Sequence, residues 1–267
     1  SPNSWDEAIA QVQAKYPNAS INHYGHERNE NYGKGNDAIP NSAFSDKFTL
    51  VNFVFPEKVT RIGDYAFNST TLSGALIIPD DVVEIGYSAF NSTNISSLQL
   101  SVNLKSLGSF AFIGCSSLAG SLTLPETLES IGDHAFSNCS MLSGTLTLPS
   151  KLTEIPYKCF TYCGFTGDLV IPENIKNIGS YAFCENKFNG QLTLSTNLTK
   201  IAEWAFVGSQ FQGELIIPKS VQTIDNSAFA RTGFSSIVFE EGSELVKIAN
   251  EAFLSNGRLS EPLVIPE

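Results

Sequence analysis

Apolar residues recur along this chain on a long, regular beat. Ten times an Ile or Leu stands five residues before a Phe, from Ile39 and Phe44 to Ile248 and Phe253, mostly as I-G-x-x-A-F. The phenylalanines fall at 44, 67, 90, 112, 136, 160, 183, 206, 229 and 253, so the period is 22 to 24 residues. A repeat that short predicts a stacked solenoid, in which each coil buries its apolar face only against its neighbours.

Within one unit the spacing changes from strand-like to turn-like. Two inward residues lie two apart, as in Leu122 and Leu124, Leu146 and Leu148, Leu169 and Ile171, Leu192 and Leu194, and Leu215 and Ile217. This is the period of a strand with one buried face. A proline usually follows, at Pro56, Pro79, Pro125, Pro149, Pro172, Pro218 and Pro266, where its fixed φ and missing N–H end the strand. The Ile of I-G comes seven residues after the second strand residue, except from Phe239 to Ile248, where a two-residue insertion predicts a bulged loop near Gly242. After it, residues such as Asp64, Asp133, Ser109 and Ser180 are expected to cap a short helical turn whose Ala and Phe point inward. A last apolar residue, such as Leu118, Leu142 or Phe165, completes the coil, and the four Phe at 165, 188, 211 and 234 read as core packing. Nine steps at the spacing of paired strands predict a rod of roughly 45 Å.

From about Ile39 to Pro266 these residues resemble the BspA-type leucine-rich repeats, whose unit reads approximately L-x-x-L-x-L-P-x-x-L-x-x-I-G-x-x-A-F-x-x-C. Leu118 to Cys139 copies the pattern almost fully, including Cys at 115, 139 and 163. The departures are Ser101, Ser195 and Glu240 at the proline place and Pro156, Ala202, Asp225 and Ala249 at the glycine place. The resemblance implies an α/β-type repeat solenoid, a right-handed curved coil with a parallel sheet on its concave face and short second strands and helical turns elsewhere. It also implies an extracellular or cell-surface protein, adhesins being common in the class, with a signal or lipoprotein leader removed. The natural partner would then be a host or neighbouring-cell surface or matrix protein.

At the ends, Ser4 to Tyr16 has helical apolar spacing after a Ser cap, so residues 1–38 are expected to form a capping helix and loop and 39–267 the solenoid of ten repeats. The sequence stops in mid-repeat at Leu263-Val264-Ile265-Pro266-Glu267, which predicts a continuing chain or a paired end.

Composition narrows the functional classes. The net charge of −11 argues against nucleic acid or anionic lipid as partner, and no apolar run approaches the length of a membrane span. Five cysteines include three at a register that Thr70, Thr93, Ser209 and Thr232 fill elsewhere, so they read as buried thiols. A bridge from Cys184 to Cys159 or Cys163 in an adjacent coil is the alternative. His23, His26 and Glu27 form a loop cluster without a further ligand at zinc spacing and read as solvated polar residues. No phosphate loop, nucleophile elbow or paired-carboxylate motif stands out, so the chain is expected to be neither an enzyme nor a binder of cofactor or metal. Asn-x-Ser/Thr triplets at Asn18, Asn68, Asn91, Asn94, Asn138 and Asn197 fit glycan acceptors or turn residues equally well.

Recognition by surface remains. Alternation places Ala75, Ser97, Ser121, Thr145, Asp168, Gln191, Glu214 and Ser236 in one outward row and Ile77, Gln99, Thr123, Thr147, Val170, Thr193, Ile216 and Val238 in another. These rows form the candidate protein-binding, concave face. A second row stands two residues before each Phe, where Tyr65, Phe110, His134, Tyr181 and Trp204 recur, with Tyr87 and Tyr157 one place earlier. Tyr65, Tyr181 and Trp204 are the candidates for stacking on sugars. A passive spacer that presents another domain, and a carbohydrate-binding module, are the alternatives to a protein-binding adhesin.

Overall fold

The computed structural model describes Ala10, Ala14 and residues 38–45, 53, 55 and 58–259. Of the expected N-terminal helix only Ala10 and Ala14 are described, and both are helical. The cluster of His23, His26 and Glu27 and residues 260–267 lie outside the described residues.

The described chain is a parallel β-solenoid. The Ile of each I-G motif ends a two-residue strand, from Ala38–Ile39, Arg61–Ile62 and Glu84–Ile85 to Thr223–Ile224 and Lys247–Ile248. These strands stack parallel and in register, Ile39 beside Ile62 and Ile62 beside Ile85. On the opposite side the L-x-L strands also stack parallel: Leu169–Val170 on Leu192–Thr193 and Glu214–Ile217 on Ser236–Phe239 in register, and Ser73–Ile77 on Asn94–Gln99 with a register shift between Gly74 and Ala75. Between them, the coils of Leu122–Leu124 and Leu146–Leu148 keep the inward Leu pairs but are joined there by the single bridge of Gly120 to Leu142.

The core is a column of phenylalanines. Phe44, Phe67, Phe90, Phe112, Phe136, Phe160, Phe183, Phe206 and Phe229 are completely buried. Their rings lie nearly parallel, with centroids 4.9 Å apart at the first step and 5.9 Å at the widest, Phe136 to Phe160. Phe165, Phe188, Phe211 and Phe234 form a second column, each ring edge-on to the first, for example Phe183 to Phe188 at 72°. They are core, as their register predicts.

Glycine in I-G is set by contact between coils. A Cβ on Gly132 would sit 2.2 Å from the Ser109 nitrogen, and the Gly132 N–H donates to the Leu107 carbonyl at 2.8 Å. Pro156 occupies the same place in the next coil and has no N–H to donate. The first ladder stops here at Ser130–Ile131 and resumes with Glu154–Ile155 paired to Asn177–Ile178, and a second break, at Ala202 and without a proline, separates Asn177–Ile178 from Lys200–Ile201. The widest phenylalanine step falls at the Pro156 junction. Serine at the proline place keeps the turn by another route: Ser101 and Ser195 are buried, and their hydroxyls accept from the Asn103 and Asn197 N–H groups at 3.1 Å. The insertion after Phe239 is a turn at Glu241–Gly242, with Gly242 at φ 74°.

The segment expected as a helical turn is instead three overlapping tight turns. The Ala66 N–H donates to the Gly63 carbonyl, the Asn68 N–H to Tyr65 and the Thr70 N–H to Phe67, and Tyr65 and Ser69, which stand third in the first and last of these turns, take φ of 57° and 54°. A negative φ followed by a positive one is the type II arrangement. The residue two before Phe is left-handed in all ten coils: Ser42, Tyr65, Ser88, Phe110, His134, Lys158, Tyr181, Trp204, Ser227 and Glu251. Left-handed backbone costs a non-glycine residue about 1 kcal/mol or more. The compensation is a ladder between coils. Each such N–H from Ser42 to Ser227 donates to a carbonyl of the next coil at 2.7 to 3.2 Å, and each Phe N–H from Phe44 to Phe229 does the same one residue pair later. The acidic residues expected to cap their own turn serve the next coil for this reason: Asp64 accepts from the Tyr87 N–H at 2.8 Å and Asp133 from Tyr157 at 3.1 Å.

Candidate functional site

The L-x-L strands carry the first candidate surface. Gln99, Thr123, Thr147, Asp168, Val170, Gln191, Thr193, Glu214, Ile216 and Val238 are all exposed, while the residues between them are buried. Register pairing sets Val170 beside Thr193, Ile216 beside Val238, and Glu214 beside Ser236. Val170, Ile216 and Val238 expose 55%, 48% and 41% of their surface and Ile77, in the first described L-x-L strand, 58%, while the row between Ile77 and Val170 is polar at Gln99, Thr123 and Thr147. The two carboxylates on this face differ in role. Asp168 accepts from the Gln191 N–H at 2.7 Å and so ties two coils together, whereas Glu214 meets only the Ser236 hydroxyl at 3.4 Å.

The turns carry the second surface. Tyr65, Tyr87, Phe110, His134, Tyr157, Tyr181 and Trp204 form one continuous row of rings, each touching the next with centroids 4.7 to 6.0 Å apart. The breaks seen in the sequence register at Ser88 and Lys158 are closed by Tyr87 and Tyr157. Lys158 adds its ammonium 5.0 Å from the Tyr157 ring and 4.9 Å from Tyr181. Tyr181 and Trp204 stack within 10° of parallel, and the row ends there, because the next coil offers Asn226 and Ser227. Tyr65 stands far along the row from Tyr181 and Trp204, so the three sugar-stacking candidates share a row without sharing a site.

Beside the later rings runs a groove of about 310 Å³, bordered by His134, Asn138, Lys158, Tyr162, Glu185 and Arg231 as well as Tyr181 and Trp204. Asn138, Tyr162, Glu185 and Arg231 belong to the second left-handed position of each coil, two residues after Phe. The recurrence of Ser, Gly and Asn there, at Ser69, Ser92, Gly114, Asn138, Gly208 and Ser255, is the one sequence signal that marks this row. Arg231 pairs with Glu185. Burial and the neighbouring Lys158 lower the His134 pKa below its ordinary 6.5, with Asp133 opposing.

The five cysteines are free and buried. Cys115, Cys139 and Cys163 donate to the Phe90, Phe112 and Phe136 carbonyls of the preceding coil at 3.1 to 3.2 Å. Thr70, Thr93 and Thr232 bond the Phe carbonyl of their own coil, and Asn186 and Asn256 reach both. Burial pushes Cys163 to about 12 and Cys184 to about 11, far from a thiolate nucleophile at neutral pH. Among the described residues no group of three His, Cys, Asp or Glu side chains could hold a metal, and no helix is long and apolar enough to cross a membrane.

The model of the BspA type leucine rich repeat region matches residues 37–166 and 154–266, in six copies. The chain belongs to the BspA-type leucine-rich repeat family. Among solved structures it is similar to a leucine-rich repeat protein from Bacteroides ovatus, at 21% identity and a TM-score of 0.51, over 79% of this chain and 65% of that one. It is also similar to the leucine-rich repeat protein of T. pallidum, at 23% identity and a TM-score of 0.44, over 72% of this chain and 73% of that one. A leucine rich cell surface protein from Faecalibacterium prausnitzii is 18% identical with a TM-score of 0.33, over 79% of this chain and 80% of that one. The likeness to the Bacteroides protein concerns the fold alone, and the chain spans about 65% of that protein's length. No curated protein matches it. Within the BspA-type repeat, the Ile, Ala, Phe and Cys positions face the shared core, and both candidate surfaces are built from the positions the repeat leaves variable.

Proposed function

We propose that this BspA-type chain is a non-catalytic recognition scaffold, secreted or attached to the cell surface, that binds a host or neighbouring-cell surface or matrix protein through its L-x-L face. The observation that carries this reading is the adjacent, exposed apolar pair of Ile216 and Val238 on in-register strands, with the exposed Val170 beyond Thr193 in the same row. Contiguous exposed apolar side chains rimmed by polar ones mark interaction sites, and a sheet fixed by its neighbours loses little freedom on binding. The polar rim is present in Gln191, Thr193 and Glu214. The family and the stacked core support a scaffold role.

The test is surface plasmon resonance of the purified chain over immobilised extracellular-matrix proteins at physiological salt, with Ile216→Glu and Val238→Lys alongside. Truncating or charging a central interface residue costs about 2 kcal/mol or more. Saturable binding weakened at least about tenfold in either variant is expected. Equal binding by wild type and both variants would remove this face from the account.

A further inference from the structure

We infer that the groove beside the end of the aromatic row is a saccharide site, selective for a sugar that carries a carboxylate. It lies on the turns, apart from the L-x-L face, and its failure would leave the protein-binding reading untouched.

A sugar ring presents apolar C–H faces and a rim of hydroxyls that both donate and accept. A site for it therefore needs an aromatic surface next to mixed polar groups. The groove has both. Tyr181 and Trp204 are half-buried, and no further ring follows Trp204, so the row stops against the polar residues of the next coil. Asn138 offers a donor and an acceptor, and the Glu185–Arg231 pair supplies a fixed carboxylate and guanidinium. The His134 Nδ1 atom is buried and has no hydrogen-bond partner. These groups converge on one concavity of about 310 Å³.

Charge selects among sugars. Lys158 lines the groove, and no carboxylate pairs with it among the described residues. Its ammonium is held by the faces of Tyr157 and Tyr181, which fix its position without neutralising it. On a chain of net charge −11 an unpaired, oriented cation inside an aromatic groove is a place for an anion. A uronic or sialic acid unit would set its carboxylate on Lys158 and an apolar face near Trp204.

Isothermal titration with trigalacturonate, and with cellotriose as the neutral counterpart, tests this directly. Saturable binding of trigalacturonate, with cellotriose at least tenfold weaker, is expected. Lys158→Gln removes a charge-assisted hydrogen bond, which corresponds to a loss of roughly 10- to 100-fold. Trp204→Ala should lose roughly tenfold, while Tyr65→Ala, in the same row but outside the groove, should bind as wild type. Lys158→Gln touches no core contact, so it decides the matter if Trp204→Ala misfolds. Absence of saturable binding by the wild type, equal affinity for the neutral sugar, or an unchanged affinity in Lys158→Gln would overturn the assignment.

Discussion

At the scale of single residues, the costliest feature of this chain was invisible in its sequence. Ten residues two places before Phe adopt left-handed backbone, yet they are Ser, Tyr, Phe, His, Lys, Trp and Glu, and none is glycine. Sequence patterns predict φ above zero from Gly and Asn, and here the neighbouring coil imposes it through the N–H it captures. Tyr65→Val should therefore be less stable than Tyr65→Gly by about 1 kcal/mol or more, although Val retains more side chain, because a β-branched residue tolerates this conformation worst. Urea unfolding of the two variants checks it, and equal midpoints would contradict it. His134 gives a second residue-scale prediction. Its pKa in the folded chain lies below the ordinary 6.5 of the unfolded state, so the unfolded chain takes up the proton first. The His134 contribution is full above pH 6.5 and is lost as pH falls through the lower folded value. His134→Phe, which copies Phe110 at the same register, should abolish that part of the acid sensitivity in thermal melts at pH 5 and pH 7.5.

At the scale of the coil, nearly everything inward was legible, because burial follows period: the Leu pairs, the Ile, the Ala-Phe and the second Phe column are buried where the spacing puts them, save Leu98 and, in the last coil, Ile248 and Phe253, which are partly buried. The outward rows of the L-x-L strands were legible for the same reason. The form of the turns was not, since the residues that cap them act on the following coil rather than their own, as Asp64 does on Tyr87. Nor was the groove, whose walls come from Lys158, Glu185 and Arg231 in three coils and share no local motif. Pro156 shows how one residue edits an element. It withholds a single N–H, and the first ladder is interrupted there. Pro156→Gly should restore a donor facing Ile131, with little net change in stability because the gained hydrogen bond is offset by the freer unfolded chain. Hydrogen exchange would show a protected amide at 156, and an unprotected one would contradict the explanation.

At the scale of the molecule, each coil depends on its two neighbours, so damage to the stack is felt locally. Phe136→Ala empties a fully buried site beside the widest step and should cost about 3–5 kcal/mol. Exchange should accelerate first in the coils of Phe112 to Phe160, and uniform acceleration along the chain would contradict a stack of this kind. The same architecture separates two surfaces, the apolar L-x-L strands and the aromatic turns, on different sides of one core. The central claim, that protein recognition belongs to the first of these, is tested most directly by comparing three proteins for binding to one captured matrix protein: wild type, Ile216→Glu and Trp204→Ala. Loss in Ile216→Glu with wild-type binding by Trp204→Ala is the predicted result, whereas loss in Trp204→Ala alone would move the site to the turns and contradict the account.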